Sequence, residues 1–325
     1  MPIGFHAHAP LSAAYQPDDV VLAREAARGL MRPIASLSPK FLYDPLGSRL
    51  FEAITELEEY YLTRIEAAIV AQARTDIANA VHALMPELSA LVDLGAGNCA
   101  KAQGWFEVLA PRQYMAVDIS VNFLQGALEA CARRHPEIDM TGIGMDFSSD
   151  LRFPNDLLPT QSLFFFPGSS IGNFSPEEAL RLIRQAREAS HGGALLIGVD
   201  LVKPDEVLVP AYDDVLGVTA AFNRNLLLHL NRLLGADFDP RDWLHVALYA
   251  HRHARIEMHL QARRPVTVRW PGQVRHFESG ERIHTENSYK WTLEGFDALL
   301  RSAGYAQVKC WTDERPWFAV FLASG

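Results

Sequence analysis

Hydrophobic residues alternate between two spacings over the first two thirds of the chain. Short apolar runs, typical of strands buried on both faces, occupy residues 90–94, 114–120, 162–166 and 192–200. Helical spacing fills the segments around them, residues 64–85, 101–110, 121–135 and 175–189. In the last of these, Ser175, Pro176 and Glu178 form the pattern of a capping box with proline at the first helical position. Strands that alternate with helices predict an α/β fold with a doubly wound parallel sheet.

The pattern changes after residue 200. Residues 210–238 have helical spacing, and residues 255–262 alternate, with Ile256, Met258 and Leu260 on one face of a predicted strand. The C-terminal residues predict a helix followed by a hairpin, a plausible far edge for the parallel sheet. We therefore expect a Rossmann-like sheet domain and a second, inserted α+β lobe. The sheet domain spans residues 64–201 and 289–325, and the lobe spans residues 1–63 and 202–288.

Composition and charge exclude several classes of partner. Hydrophobic residues make up 49% of the 325 residues, enough for a substantial core, and the formal net charge is -9. An acidic chain lacks the excess of Lys and Arg with which proteins neutralise phosphates, so we expect no nucleic-acid partner. No apolar run approaches the roughly 18 residues of a membrane span, and the first residues lack a secretory pattern. The three scattered cysteines are typical of a reducing compartment, so we expect a cytoplasmic protein. We also expect no membrane partner, and a monomer.

The turn after the first predicted strand contains the first candidate chemistry. Gly95 and Gly97 bracket Ala96, and such a turn lets the backbone approach a nucleotide closely. Asp118 ends the next strand, where a carboxylate can accept both ribose hydroxyls. An NAD-binding dehydrogenase and an S-adenosylmethionine-dependent methyltransferase both fit this pattern. Ala100 replaces the third glycine of the dinucleotide motif, and Lys101 suits a ligand carboxylate, so the methyltransferase is favoured.

Several longer segments resemble one family. "LVDLGAGNCAK", "FPGSSIGNFSPEEA", "FNRNLLLHLNRLLGADFDP" and "HTENSYKW" are similar, in this order, to the L-histidine Nα-methyltransferases of ergothioneine biosynthesis. The resemblance implies a class I methyltransferase sheet that binds S-adenosylmethionine, with the second lobe binding the substrate. It implies trimethylation of the α-amino group of L-histidine to hercynine. It also implies that S-adenosylmethionine is the co-substrate and that no metal takes part.

The resemblance also assigns site residues by position. It implies cofactor contacts from Gly95, Lys101, Asp118, Asp146 and Phe147. It implies that Tyr60, Asn173 and Tyr212 are the catalytic residues and hold the α-carboxylate of histidine and its surroundings. The remaining substrate contacts that it implies are Met258, Glu286, Asn287 and Ser288. Glu286 would accept an imidazole N–H, and Ser288 would project with it from an extended segment.

A few positions depart from the family pattern. Ser170 replaces a frequent threonine, Leu62 replaces a usual proline, and Tyr289 and Trp291 are bulkier than expected. These departures leave the exact substrate preference open, and two alternatives to a histidine methyltransferase remain. The acceptor is a different amino acid, or the chain is a non-catalytic relative that binds an amino acid or a nucleoside.

Overall fold

The computed structural model describes residues 3–6, 19–148, 150–153 and 157–325. Within these residues the strands are β1 (Ile3–His6), β2 (Ala90–Leu94), β3 (Gln113–Asp118), β4 (Asp139–Gly144), β5 (Leu163–Phe166), β6 (Ala194–Asp200), β7 (Trp243–Ala250), β8 (Arg255–Ala262), β9 (Val266–Trp270), β10 (Gln273–Phe277), β11 (Arg282–Tyr289), β12 (Gln307–Thr312) and β13 (Phe318–Ser324). The helices are α1 (Asp19–Leu30), α2 (Pro45–Thr55), α3 (Tyr61–Leu84), α4 (Ala100–Leu109), α5 (Val121–Arg134), α6 (Pro176–Ala189), α7 (Asp205–Leu208), α8 (Val218–Leu234) and α9 (Leu293–Ser302). Of the helices described, none has both the length and the hydrophobicity needed to cross a membrane.

The chain divides into two compact units. The first contains β1, Leu62–Val202 and Lys290–Gly325, and the second contains the described part of residues 16–61 together with Lys203–Tyr289.

An eight-stranded sheet, with the order β1-β4-β3-β2-β5-β6-β13-β12, forms the centre of the described part of the first unit. The five strands from β4 to β6 are parallel. At the edges, β1 pairs antiparallel with β4, β13 pairs antiparallel with β6, and β12 pairs antiparallel with β13. Every residue of β2 and of β6 is buried, because helices cover both faces of a doubly wound sheet. The predicted α/β fold and the C-terminal hairpin at the far edge are confirmed.

The N-terminal strand differs from the sequence analysis, which placed residues 1–63 in the second lobe. Ile3–His6 instead pairs antiparallel with β4, from Ile3 opposite Gly144 to His6 opposite Thr141. Its four residues are too few to show a strand pattern, and hydrogen bonds to the exposed edge of β4 determine its place. Residues 1–2 and 7–18 lie outside the described residues.

The second unit contains a three-stranded antiparallel sheet, β11-β8-β7, and a two-stranded sheet, β10-β9.

The helix predicted from residue 210 begins only at Val218. Gly217 has a left-handed φ of 73°, and the carboxylate of Asp214 accepts the N–H groups of Val218 and Thr219. Tyr212 therefore lies in the 3-10 turn Pro210–Tyr212 and not in a helix.

The start of α6 offers a test of local stability. The Ser175 side chain accepts the N–H of Glu178, and the Glu178 carboxylate accepts the N–H of Ser175, as the capping box predicts. We expect Ser175→Ala to lower the free energy of unfolding by about 1 kcal/mol. Ser302→Ala, at an exposed position near the end of α9, is the matched control. Equal changes for both variants in chemical denaturation would contradict the cap.

Candidate functional site

The glycine turn lies at the carboxyl end of β2. Gly95 and Gly97 have left-handed φ angles of 72° and 51°, and the N–H groups of Gly95 and Ala96 both donate to Val117 O on β3. A Cβ added to Gly95 would lie 3.9 Å from the ring of Phe147, so two residues predicted for the cofactor adjoin each other. The turn leads into α4, and the N-terminus of a helix favours a negatively charged ligand.

Asp118 ends β3 and holds this turn in place. Its Oδ2 accepts the Gly97 N–H at 2.9 Å, and its Oδ1 accepts the Ser120 N–H at 2.8 Å. Burial raises the pKa of Asp118, and the backbone N–H groups that it accepts act in the opposite direction. Each carboxylate oxygen can accept more than one hydrogen bond, so Asp118 retains capacity for hydroxyl groups of a ligand.

Asp146 and Phe147 follow β4, the next parallel strand. Asp146 accepts hydrogen bonds from the backbone N–H and the hydroxyl of Ser148. The Phe147 ring meets Phe166 edge-on at 5.7 Å between centroids and lies 6.5 Å from Phe174. Phe174 is adjacent to Asn173, the last residue of the 3-10 turn Ser170–Asn173.

Lys101, which the sequence assigned to a ligand carboxylate, lies beside a carboxylate of the chain itself. Its Nζ donates to Glu66 on α3, and the other oxygen of Glu66 accepts the Gly168 N–H at 2.7 Å. The residues that the sequence predicts for the cofactor thus lie along the carboxyl ends of β2, β3 and β4. In open parallel sheets this is the edge at which ligands bind.

In the second unit, two tyrosines and a serine form one cluster. The Tyr212 hydroxyl is 2.7 Å from Ser288 Oγ, and the rings of Tyr60 and Tyr212 meet edge-on at 6.2 Å. His245 Nε2 donates to Tyr212 O at 2.7 Å. Asn223 Nδ2 donates to His245 Nδ1 at 2.9 Å, which fixes the neutral tautomer with its proton on Nε2.

Glu286 adjoins this cluster because of a β-bulge in β11. Glu286 lies opposite Met258, but His284 lies opposite His259, so Thr285 is the extra residue. The Thr285 hydroxyl donates to Met258 O at 3.0 Å and closes the bulge. After the bulge, Glu286 and Ser288 share one face of the strand, and both are buried.

The side chain of Asn287 points to the other face. His284 Nε2 donates to Asn287 Oδ1 at 2.9 Å, which the bulge allows, since it turns His284 to the face of Asn287. The structure therefore brings Met258, Glu286, Ser288 and Tyr212 together and directs the Asn287 side chain away from them.

The two bulky departures from the family pattern contact their own units. Arg255 Nη1 donates to the Tyr289 hydroxyl at 2.5 Å, and its guanidinium lies 5.2 Å from the centre of the ring. The Trp291 ring meets Phe296 edge-on at 5.3 Å in the first unit. These contacts give both residues a packing role.

Two residues of these clusters, Glu66 and His245, were not predicted from the sequence as site residues. Glu66 lies in a helix whose pattern gives no sign of a buried acid, and His245 lies in β7, which the sequence analysis did not predict. Their partners lie 35 and 33 residues away in sequence. In the part of the chain that the structure covers, no three His, Cys, Asp or Glu residues are grouped to hold a metal ion.

The buried imidazole of His245 makes stability depend on pH. Burial lowers the pKa of His245 below the usual 6.5, although Asp213 at 3.9 Å acts in the opposite direction. Below pH 6.5 the unfolded chain takes up a proton that the folded chain resists, so the free energy of unfolding falls as the pH falls. One such group contributes a slope of at most about 1.4 kcal/mol per pH unit. We expect His245→Gln to reduce this slope in denaturation series between neutral pH and pH 5, and His276→Gln, at an exposed position, to leave it unchanged.

Comparison with known proteins shows the relatives of the chain. Residues 22–325 match the family described as histidine-specific, SAM-dependent methyltransferase. The histidine N-alpha-methyltransferase of Mycobacterium tuberculosis is 37% identical over 313 residues, which cover 94% of this chain and 95% of that protein. The enzyme of the same name from Mycolicibacterium smegmatis is 37% identical, with 93% and 94% covered. The ergothioneine biosynthesis protein 1 of Neurospora crassa is 30% identical over 83% of this chain and 31% of its own length.

Proposed function

Because the chain belongs to the S-adenosylmethionine-dependent, histidine-specific methyltransferases, we propose that it methylates the α-amino group of L-histidine three times, to hercynine. Within the structure, one observation supports this substrate above all. A buried acid, Glu286, shares a strand face with the Ser288 hydroxyl, which meets Tyr212. A carboxylate in such a place suits an imidazole N–H, and hydroxyl groups suit the polar end of an amino acid.

The first unit holds the methyl donor in this proposal, and its residues fit that group. Gly95 and Gly97 carry no side chains, and the Asp118 carboxylate lies at the end of the neighbouring strand. S-adenosylmethionine supplies an activated methyl group on its sulfonium. Asp118 accepts the ribose hydroxyls, Asp146 and the Phe147 backbone meet the adenine, and Lys101 pairs with the carboxylate.

The second unit holds the imidazole end of histidine. Glu286 accepts an imidazole N–H, Ser288 gives a second hydrogen bond, and Met258 forms an apolar wall. Asn287 contacts the substrate through its backbone, since its side chain accepts a hydrogen bond from His284.

Tyr60, Asn173 and Tyr212 are the residues that we assign to the amino-acid end of the substrate. Their phenol and amide groups donate hydrogen bonds to the α-carboxylate without bringing a positive charge near the sulfonium. The attacking amine must be neutral, because an ammonium has no lone pair. Correct positioning of this amine and exclusion of water are the main contributions of the chain, and neither needs a metal.

A product assay tests the proposal. Purified protein, S-adenosylmethionine and each of the common amino acids in turn are incubated, and products are identified by mass. We expect mono-, di- and trimethylated histidine and no methylation of the other amino acids. Transfer to another amino acid in preference to histidine would overturn the substrate. S-adenosylhomocysteine binding without any transfer would indicate a non-catalytic relative.

We propose the location and the partners of the protein from its charge and its cysteines. The net charge of -9 and the free cysteines support a cytoplasmic protein that acts on a small molecule, without nucleic acid or membrane. We propose that it acts as a monomer, which light scattering during gel filtration would test.

A further inference from the structure

A buried acid of the first unit occupies a site that the proposed chemistry leaves unexplained. Glu66 lies on α3 and is 5% exposed, and the hydrogen bonds described here join its carboxylate to residues outside its own helix. One oxygen accepts from Lys101 Nζ at the start of α4, and the other accepts the Gly168 N–H after β5. Burial of a carboxylate is costly unless it is paired and hydrogen-bonded, and here it is both.

Two glycines leave room for this pair. A Cβ at Gly198 on β6 would lie 2.3 Å from Glu66 Oε1, too close for any side chain without movement of the carboxylate. A Cβ at Gly168 would lie 2.9 Å from Lys101 Nζ, and Gly168 has a left-handed φ of 76°. The backbone of β6 and of the segment after β5 therefore leaves space for the carboxylate and the ammonium.

Glu66 and Lys101 differ in exposure, and this difference leaves the lysine accessible to a ligand. The Glu66 side chain is 7% exposed, whereas the Lys101 side chain is 40% exposed. An ammonium has three N–H donors, so Lys101 can keep its bond to Glu66 and still donate to a ligand carboxylate. Because the bond to Glu66 already restricts the Lys101 side chain, Lys101 loses less conformational entropy on ligand binding than an unrestrained lysine would.

We propose that Glu66 is a positioning residue for the cofactor. It fixes Lys101 toward the carboxylate of S-adenosylmethionine and, through Gly168, fixes the start of the loop that ends at Asn173. The inference rests on the proposed role of Lys101 and adds a residue that acts through it.

A double-mutant cycle tests this role. Glu66→Gln keeps the side-chain shape and an acceptor for the Gly168 N–H but removes the charge that holds Lys101. We expect it to weaken S-adenosylhomocysteine binding about tenfold in calorimetry, with a much smaller change for histidine. In a Lys101→Met background the same change should alter binding by less than about twofold, because Glu66 no longer has a lysine to position.

The possible results of this cycle distinguish failure of the positioning role of Glu66 from failure of the proposed methyltransferase function. Equal losses in both backgrounds, no loss, or tighter binding in Glu66→Gln would overturn the positioning role. If the wild-type protein does not bind S-adenosylhomocysteine, the proposed function fails instead. Should Glu66→Gln not fold, Glu66→Asp, which keeps the charge but draws it back, must show an intermediate loss that disappears in the Lys101→Met background.

Discussion

Glu286→Ala is expected to abolish most of the affinity for histidine and to leave cofactor affinity nearly unchanged. The substitution removes a buried carboxylate from the face that carries Met258 and Ser288. Loss of a charge-assisted hydrogen bond to the imidazole should cost about 1.5–3 kcal/mol, or roughly 10- to 150-fold in the dissociation constant. Calorimetry with histidine and with S-adenosylhomocysteine measures the two affinities separately.

The matched control for this experiment is Glu278→Ala. Glu278 belongs to the same unit and carries the same charge but is exposed. We expect it to bind histidine as the wild type does. Similar losses in both variants, or equal losses for histidine and cofactor in Glu286→Ala, would contradict the assignment of Glu286 to the imidazole.

Asp118→Ala should have the opposite selectivity. The carboxylate organises the glycine turn through hydrogen bonds from Gly97 and Ser120, so its removal should disturb the shape of the turn as well as the ribose contact that we propose. We expect the affinity for S-adenosylhomocysteine to fall by about 2–4 kcal/mol, on the basis of one or two lost hydrogen bonds to a charged group. Histidine affinity should change by less than about threefold, since the imidazole contacts that we propose belong to the other unit.

Asp139→Ala is the control for the Asp118 experiment. Asp139 begins the next strand, is exposed, and lies at the opposite end of the parallel strands. Normal cofactor binding in this variant would show that the loss is local to Asp118. If Asp118→Ala bound S-adenosylhomocysteine normally, the cofactor assignment of the whole glycine turn would be wrong.

Local patterns were sufficient to predict most of the sheet. Runs such as Ala90–Leu94 and Ala194–Asp200 are apolar at nearly every position because both faces are covered, and this leaves a clear mark in the sequence. The capping box at Ser175 predicted the start of α6 correctly, because a cap depends only on residues within one turn.

Features that depend on distant partners could not be predicted in this way. The pairing of Lys101 with Glu66 and of His245 with Tyr212 needs the tertiary fold. The strand Trp243–Ala250 has mostly half-buried residues on both faces, so it lacks a clean alternation. The bulge at Thr285 is likewise invisible in the sequence, because only the register against β8 defines it.

That bulge sets a rule for how this segment can change in length. Because side chains alternate along a strand, a regular ladder that included Thr285 would place Thr285 opposite Met258 and turn Glu286 to the opposite face, whereas loss of Thr285 would leave Glu286 opposite Met258. A relative that lacks this one residue therefore keeps the acid on the same face of the strand, and a deletion of Thr285 should leave Glu286 beside Met258 and Ser288.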